Sequence, residues 1–253
     1  MKKTLSIFFK LTVCFSIFYG CKNKGAISNK NLSFIYKKEF GNLHPEFSVY
    51  HQKDNSSQLH FKVNSKELLY TKKGGASVFT ANILVSYNLT DNINPKIIAD
   101  SSSVVIVDIY SDKPNKDIIG QIDIGAKTFG TYFLEVNITD LNRDETARSF
   151  IGVDKSSYLC RQNFLAVNEN EIPLFKNYVH ENEPFYIKLS KPAPSQKLFV
   201  RYYNRKFPMP HAPYVTMESQ FFDYSADSLF YIPLNDRMTP EIIFSKQGFY
   251  HIQ

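Results

Sequence analysis

Three cysteines, six histidines and a scatter of carboxylates carry the reactive and metal-binding potential of this chain. Cys21 has the most specific setting. It follows Gly20 at the end of an apolar run, Leu5 to Tyr19, which opens behind Met1-Lys2-Lys3 and is interrupted by Lys10. A cationic start, an apolar middle and a small residue before the cut form the layout of an export signal. A thiol directly after that small residue predicts lipidation, with Cys21 as the new N-terminus. Phe18 and Tyr19 stand where such sites usually carry Leu and a small residue. A membrane-spanning helix needs about 20 apolar residues, and this run is shorter and charged.

Cys14 leaves with the signal, and a lipid on Cys21 leaves Cys160 as the one free thiol, so no intrachain disulfide is expected. Cys160 lies in the alternating stretch Ser157-Tyr158-Leu159-Cys160-Arg161 and reads as a buried structural thiol. No activating base stands near it in sequence. His51 and His60 flank a turn and would face each other across a hairpin, where they could share a metal. The plainer reading is two polar strand residues facing solvent. Asp112, Asn115 and Asp117 fit a calcium loop, but Asp and Asn are favoured in turns for their own hydrogen bonding, and a turn explains them. The chain lacks a phosphate-binding glycine loop, a zinc-protease histidine pair and a Gly-x-Ser-x-Gly elbow. No catalytic residue, metal or cofactor is expected.

The elements that must position any site are strands. Aromatic residues make up 15% of the chain, as 22 Phe and 16 Tyr with no Trp, and such residues favour pleated structure. Glu46–His51 and Gln58–Asn64 flank a polar turn and predict a hairpin, the second with clean period-two alternation. Val78–Leu89 predicts a long strand. Val104–Tyr110, apolar and β-branched, predicts a central one. Ile118–Ile124, Gly130–Ile138 and Ala147–Val153 complete a set at sandwich-like spacing. Tyr132 occupies the place of a tyrosine corner. After Asp154-Lys155-Ser156-Ser157, read as a linker, the pattern restarts with strands at Leu159–Val167, Glu183–Leu189, Lys197–Tyr203, Leu229–Leu234 and Glu241–Phe244. Gly248–Gln253 reads as the start of a further strand, either an edge or the point where the chain falls short of its relatives.

The expected organisation is therefore a signal peptide over 1–20 and a lipidated tether over 21–33. A β-sandwich domain over 34–154 and a second β domain over 158–253, incomplete if the chain is short, follow it. The fold class is all-β, with two immunoglobulin-like sandwiches. Net charge is +6, and removing Lys2, Lys3 and Lys10 with the signal leaves 6 − 3 = +3. The lysines are mixed with acids, so no nucleic-acid partner is expected. The loop from Arg201 to Tyr214 gathers Tyr202, Tyr203, Arg205, Phe207, His211 and Tyr214 with three prolines. Aromatic and Arg residues on a stiffened loop suit a binding surface.

Two stretches carry a resemblance. His44-Pro45-Glu46-Phe47-Ser48-Val49-Tyr50-His51 with Ser65–Thr71 is one. Tyr158-Leu159-Cys160-Arg161-Gln162-Asn163-Phe164 with Asn182-Glu183-Pro184-Phe185 is the other. Together they resemble the N-terminal half of the Bacteroidetes lipoproteins named for a GWxTD domain, over most of the chain after the signal. The Gly-Trp-x-Thr-Asp region is absent, since the chain has no Trp. The resemblance implies location and architecture rather than an activity.

The sequence thus leads to an expectation of a non-enzymatic protein, lipid-anchored in a bacterial envelope and serving as a protein-binding scaffold or adaptor. Lys22-Asn23-Lys24 lacks the acidic pair of a surface-export signal, which favours the periplasmic side of the outer membrane. The alternatives are a cell-surface glycan-binding module and a fimbrillin-like subunit that assembles by strand exchange.

Overall fold

Alternating apolar and polar side chains build the first part of the structure. The computed structural model describes residues 43–253 other than 73, 76, 93–95, 111–114, 128, 192–196 and 206–224. Strands β1 (Glu46–Lys53) and β2 (Ser56–Asn64) form the expected antiparallel hairpin, with Phe47 opposite Phe61 and a bulge between Tyr50 and Lys53. One face of β2 buries Leu59, Phe61 and Val63. Strand β3 (Thr80–Asp91) buries Ala81, Ile83, Val85, Tyr87 and Leu89, every second residue. Strands β4 (Ile98–Ile109), β5 (Asp117–Ile124), β6 (Thr131–Asp140) and β7 (Glu145–Asp154) complete this part.

The strands pair as a three-stranded sheet, β1-β2-β5, and a four-stranded sheet, β4-β3-β6-β7, antiparallel throughout. Their apolar faces meet in one cluster that joins Leu59 and Phe61 to Ile83, Val85, Leu134 and Val136. Burial of each such side chain contributes about 1.5–3 kcal/mol over exposure. This is an immunoglobulin-like sandwich, and Tyr132 is its tyrosine corner. The Tyr132 hydroxyl accepts from the Lys127 amide at 3.1 Å and lies 3.4 Å from the Lys127 carbonyl, tying strand β6 to the backbone just upstream. The ring lies so close to Gly130 that a Cβ there would collide with it.

The second part is built from shorter pieces. After a 3-10 turn, Arg161–Asn163, strand β8 (Phe164–Val167) pairs with β9 (Tyr186–Leu189). Strand β10 (Lys197–Tyr203) lies between β11 (Ser228–Pro233) and β12 (Phe249–Ile252). A smaller cluster holds them together, with Ile187, Leu198, Val200, Ile232 and Ile242 among its buried members. Residues 41–253 nevertheless form one compact unit. A third cluster, Tyr50 of β1 with Leu165 and Val167 of β8, joins the two parts.

Several sequence expectations are corrected. The apolar run at Val104–Tyr110 belongs to β4, which is an edge strand rather than a central one. Its β-branched residues resemble a strand buried on both faces, yet Val105, Val107 and Ile109 are each more than half exposed. The strand expected from Leu159 starts only at Phe164, because Tyr158–Asn163 forms turns. Cys160 caps the 3-10 turn and is only half-buried. Glu241–Phe244 makes an isolated bridge, Ile242 to Phe185, rather than a strand. His51 and His60 do not face solvent. Both are buried, and His60 stands opposite Ser48, three residues from His51.

The presumed linker is tightly held. Lys155 is buried, and its ammonium donates to the carbonyls of Lys53 at 2.7 Å, Ser56 at 3.2 Å and Ala126 at 3.0 Å. Burial pushes its pKa down to about 8, opposed by the Asp54 charge. His51 Nε2 donates to the Asp154 carbonyl at 2.7 Å, so Nδ1, 2.9 Å from Ser57 Oγ, is the acceptor of a neutral ring. Burial lowers the His51 pKa, in keeping with that tautomer.

Candidate functional site

A cleft of about 740 Å³ opens among the described residues. That size lies within the range of ligand pockets. One wall comes from the sandwich: Phe47 and Val49 of β1 with Ile151 of β7. The opposite wall comes from the second part: Arg161 of the 3-10 turn, Phe164 and Ala166 of β8, the loop from Leu174 to Glu181, and the segment from Phe244 through β12.

The Leu174–Glu181 loop carries most of the wall's polar chemistry, and local hydrogen bonds hold it. Upstream, the Asn168 side chain accepts from the amides of Asn170 and Ile172, both at 3.0 Å, and turns the chain. Downstream, the Glu183 carboxylate accepts from the His180 amide at 2.7 Å and from the Lys176 ammonium at 2.7 and 2.8 Å. The His180 amide first, and Lys176 after it, hold the Glu183 pKa below its ordinary value. Phe175 has φ 53°, a left-handed conformation that a bulky residue adopts only when its surroundings enforce it. Arg161 hydrogen-bonds Asn177, linking the 3-10 turn to this loop.

The loop presents Tyr178, which is 63% exposed. Its ring is flanked by His180, edge-on with centroids 5.6 Å apart, and by the Lys176 ammonium 5.3 Å from the centroid. Phe249, half exposed, stands on β12 and also lines the cleft. Phe244 and Tyr250, also in the lining, stack in parallel, with centroids 3.7 Å apart. The cleft therefore offers aromatic faces, a planar guanidinium, an amide and ammonium groups. This is equipment for holding a ligand. Among the described residues no group of three or more His, Cys, Asp or Glu is placed to hold a metal ion.

The residues expected from sequence to bind fare differently from one another. Tyr202 and Tyr203 are buried, because β10 is the middle strand of its sheet. Tyr202 packs on Tyr250 with centroids 4.9 Å apart, and its hydroxyl donates to the Gln247 carbonyl at 2.7 Å. Both tyrosines thus support structure instead of facing a partner, although Tyr202 braces the segment that lines the cleft. Arg205 bonds the Asp227 carboxylate at 2.8 Å and the Ser225 carbonyl at 3.0 Å. Phe207, His211 and Tyr214 lie outside the described residues, as does Cys21. Asn115 and Asp117 accept from the Asn64 amide, at 2.9 and 3.1 Å, as turn residues do. Sequence reasoning passed over Phe175, Tyr178 and His180. Their signal was a cluster of aromatic, basic and amide residues between two short strands.

No family model matches the chain, and no curated protein matches it. Among solved structures, a glycosyl hydrolase family 2 (GH2) member from Bacteroides cellulosilyticus DSM 14838 is similar at 8% identity and a TM-score of 0.29. The match covers 45% of this chain and 15% of that one, and at that score the likeness carries no argument about function.

Proposed function

We propose that this chain is a non-enzymatic envelope protein, anchored through lipid on Cys21, that acts as a scaffold or adaptor by holding a protein partner in the cleft. The supporting observation is the cleft itself: exposed Tyr178 and Phe249 beside Arg161, on walls supplied by two differently built parts. Aromatic and Arg side chains are enriched at protein interfaces, because they bring large contact area and directional bonds on few rotatable joints. The export-like N-terminus and the resemblance to envelope lipoproteins support the location, with the periplasmic face of the outer membrane favoured. Fold alone would not assign the role.

Pull-down from native membranes with the full chain tests the reading, run beside Tyr178→Ala and Phe249→Ala. The expected result is a defined envelope protein captured by the parent chain and lost with both variants. An unchanged capture by the variants contradicts it. A second reading is a glycan ligand, which the exposed face of Tyr178 between polar neighbours favours, since sugars stack their C–H faces on such rings. Retention on a glycan array, lost in Tyr178→Ala, selects that reading.

A further inference from the structure

We propose that strand β4 is a self-association edge, joining two copies of this chain through an antiparallel β4–β4 pairing centred on Val105. The inference is independent of the cleft and comes from comparing the outer strands of the sandwich. An edge strand leaves a row of backbone donors and acceptors open, and natural proteins usually blunt it with charge, proline or cover. Strand β1 carries Glu46 and Lys53 and is joined to β8 through Tyr50. Strand β5 carries Asp117 and Asp123. Strand β7 carries Glu145 and Arg148, and Gln162 occupies the Gly152 carbonyl and the Asp154 amide.

Among the described residues, strand β4 has no such protection. It is twelve residues long and, among the described residues, pairs with β3 alone. From Ser101 to Val107 it bears no charge or proline. Val104 is 39% exposed, Val105 53% and Val107 57%. Its two carboxylates lie outside this stretch and are internally engaged. Asp100 accepts from Tyr87 and the Gly125 amide, and Asp108 accepts from Tyr70 and Lys116.

The flanking carboxylates exclude one register, and the neutral, β-branched run between them carries no charge to repel a second copy. Antiparallel pairing about a twofold axis perpendicular to the sheet sets residues of the same face opposite each other, so the axis must pass through a residue. Centred on Val104, it would place Asp100 opposite Asp108, a like-charge pair. Centred on Val105, it places Val104 opposite Ile106, Ser103 opposite Val107 and Ser102 opposite Asp108. Every carboxylate then meets an uncharged side chain, and β-branched residues pair across the seam, which is favourable in antiparallel sheets. Two four-stranded sheets become one continuous eight-stranded sheet, and the association closes at two copies.

Sedimentation velocity on the full lipoprotein in detergent, with disulfide trapping, tests this. In a Cys14→Ser, Cys160→Ser background, Val105→Cys meets its own counterpart on the axis and gives a dimer on a non-reducing gel. Val107→Cys, equally exposed, stands four residues out of register with its counterpart and does not. The parent chain sediments as a dimer, and Val105→Lys, which sets two ammonium groups face to face, sediments as a monomer with an unchanged far-ultraviolet spectrum. A monomeric parent chain, larger polymers, or equal trapping at Val105→Cys and Val107→Cys would overturn the proposal.

Discussion

The two parts of this protein reach stability by different routes. In the sandwich, strands of eight to twelve residues, strictly alternating in β3 and β6, close one large cluster between two sheets. In the second part, strands β8, β9 and β12 are four residues each, and loops hold much of the rest. Four of the six described non-glycine residues with positive φ fall there: Glu171, Phe175, Asn182 and Asp236. Aromatic contacts such as Phe185–Phe244 and Phe244–Tyr250 stand in for long strands. A regular sheet buries area efficiently but has few shapes to offer. The irregular part buries less and supplies the loop and the polar groups of the cleft. The division is one of labour: the sandwich is a rigid wall, and the second part carries the variable chemistry.

Core truncations should separate the parts most sharply. Phe61→Ala empties a fully buried site in the sandwich and should cost about 3–5 kcal/mol, as aromatic truncations in cores do. Leu198→Ala in the smaller cluster should cost about 2–5 kcal/mol. The two variants should differ in extent more than in size. Native-state hydrogen exchange should show Phe61→Ala weakening protection throughout residues 43–253, and Leu198→Ala weakening it only beyond Lys155. Equal loss of protection everywhere in both variants would erase the distinction.

A smaller effect is expected at the tyrosine corner. Tyr132→Phe keeps the packing and removes one hydroxyl, so chemical denaturation should show a loss of about 0.5–1.5 kcal/mol, the usual net value of a hydrogen bond. A loss far beyond that range would mean the corner organises the sandwich core.

The buried cations at the junction predict a pH dependence. Lys155 has a folded pKa of about 8, below its ordinary value, so the unfolded chain binds more protons between about 8 and 10.5. Stability should therefore rise with pH across that window, and Lys155→Met should flatten the rise. Burial also lowers the pKa of His51 and of His60, the latter with Lys188 adding to it. Their contribution should be complete above the ordinary histidine value of 6.5 and fall as the pH drops below it. His60 Nε2 is buried without a hydrogen-bond partner among the described residues, so His60→Leu should remove part of the acid-side loss. Thermal melts between pH 5 and 10 read both arms.

The sandwich was largely legible because period-two alternation is a direct record of one buried face. The hairpin at Phe47 and Phe61, the long strand through Ile83 and Leu89, and the corner at Tyr132 follow from it. Burial by another part of the chain leaves no such record. His51 and His60 occupy polar positions in the pattern, yet both are buried, His51 against Ser57 and the Asp154 carbonyl. Strand β4 shows the converse: an unbroken apolar run normally means cover on both sides, and here it marks an open edge. Tyr202 and Tyr203 looked available because they adjoin a proline-rich loop, but their place in the middle of a three-stranded sheet buries them. The cleft depends on how two parts meet, which no local pattern encodes.

The sharpest test of the division is expression of residues 33–155 alone. The account predicts a cooperative thermal transition and a dispersed amide spectrum, since this span holds both sheets of the sandwich and their shared cluster. It also predicts that the fragment captures no partner, because the wall carrying Tyr178 and Arg161 is missing. An unfolded fragment, alongside a folded 33–253, would show that the two parts share one core and would contradict the account.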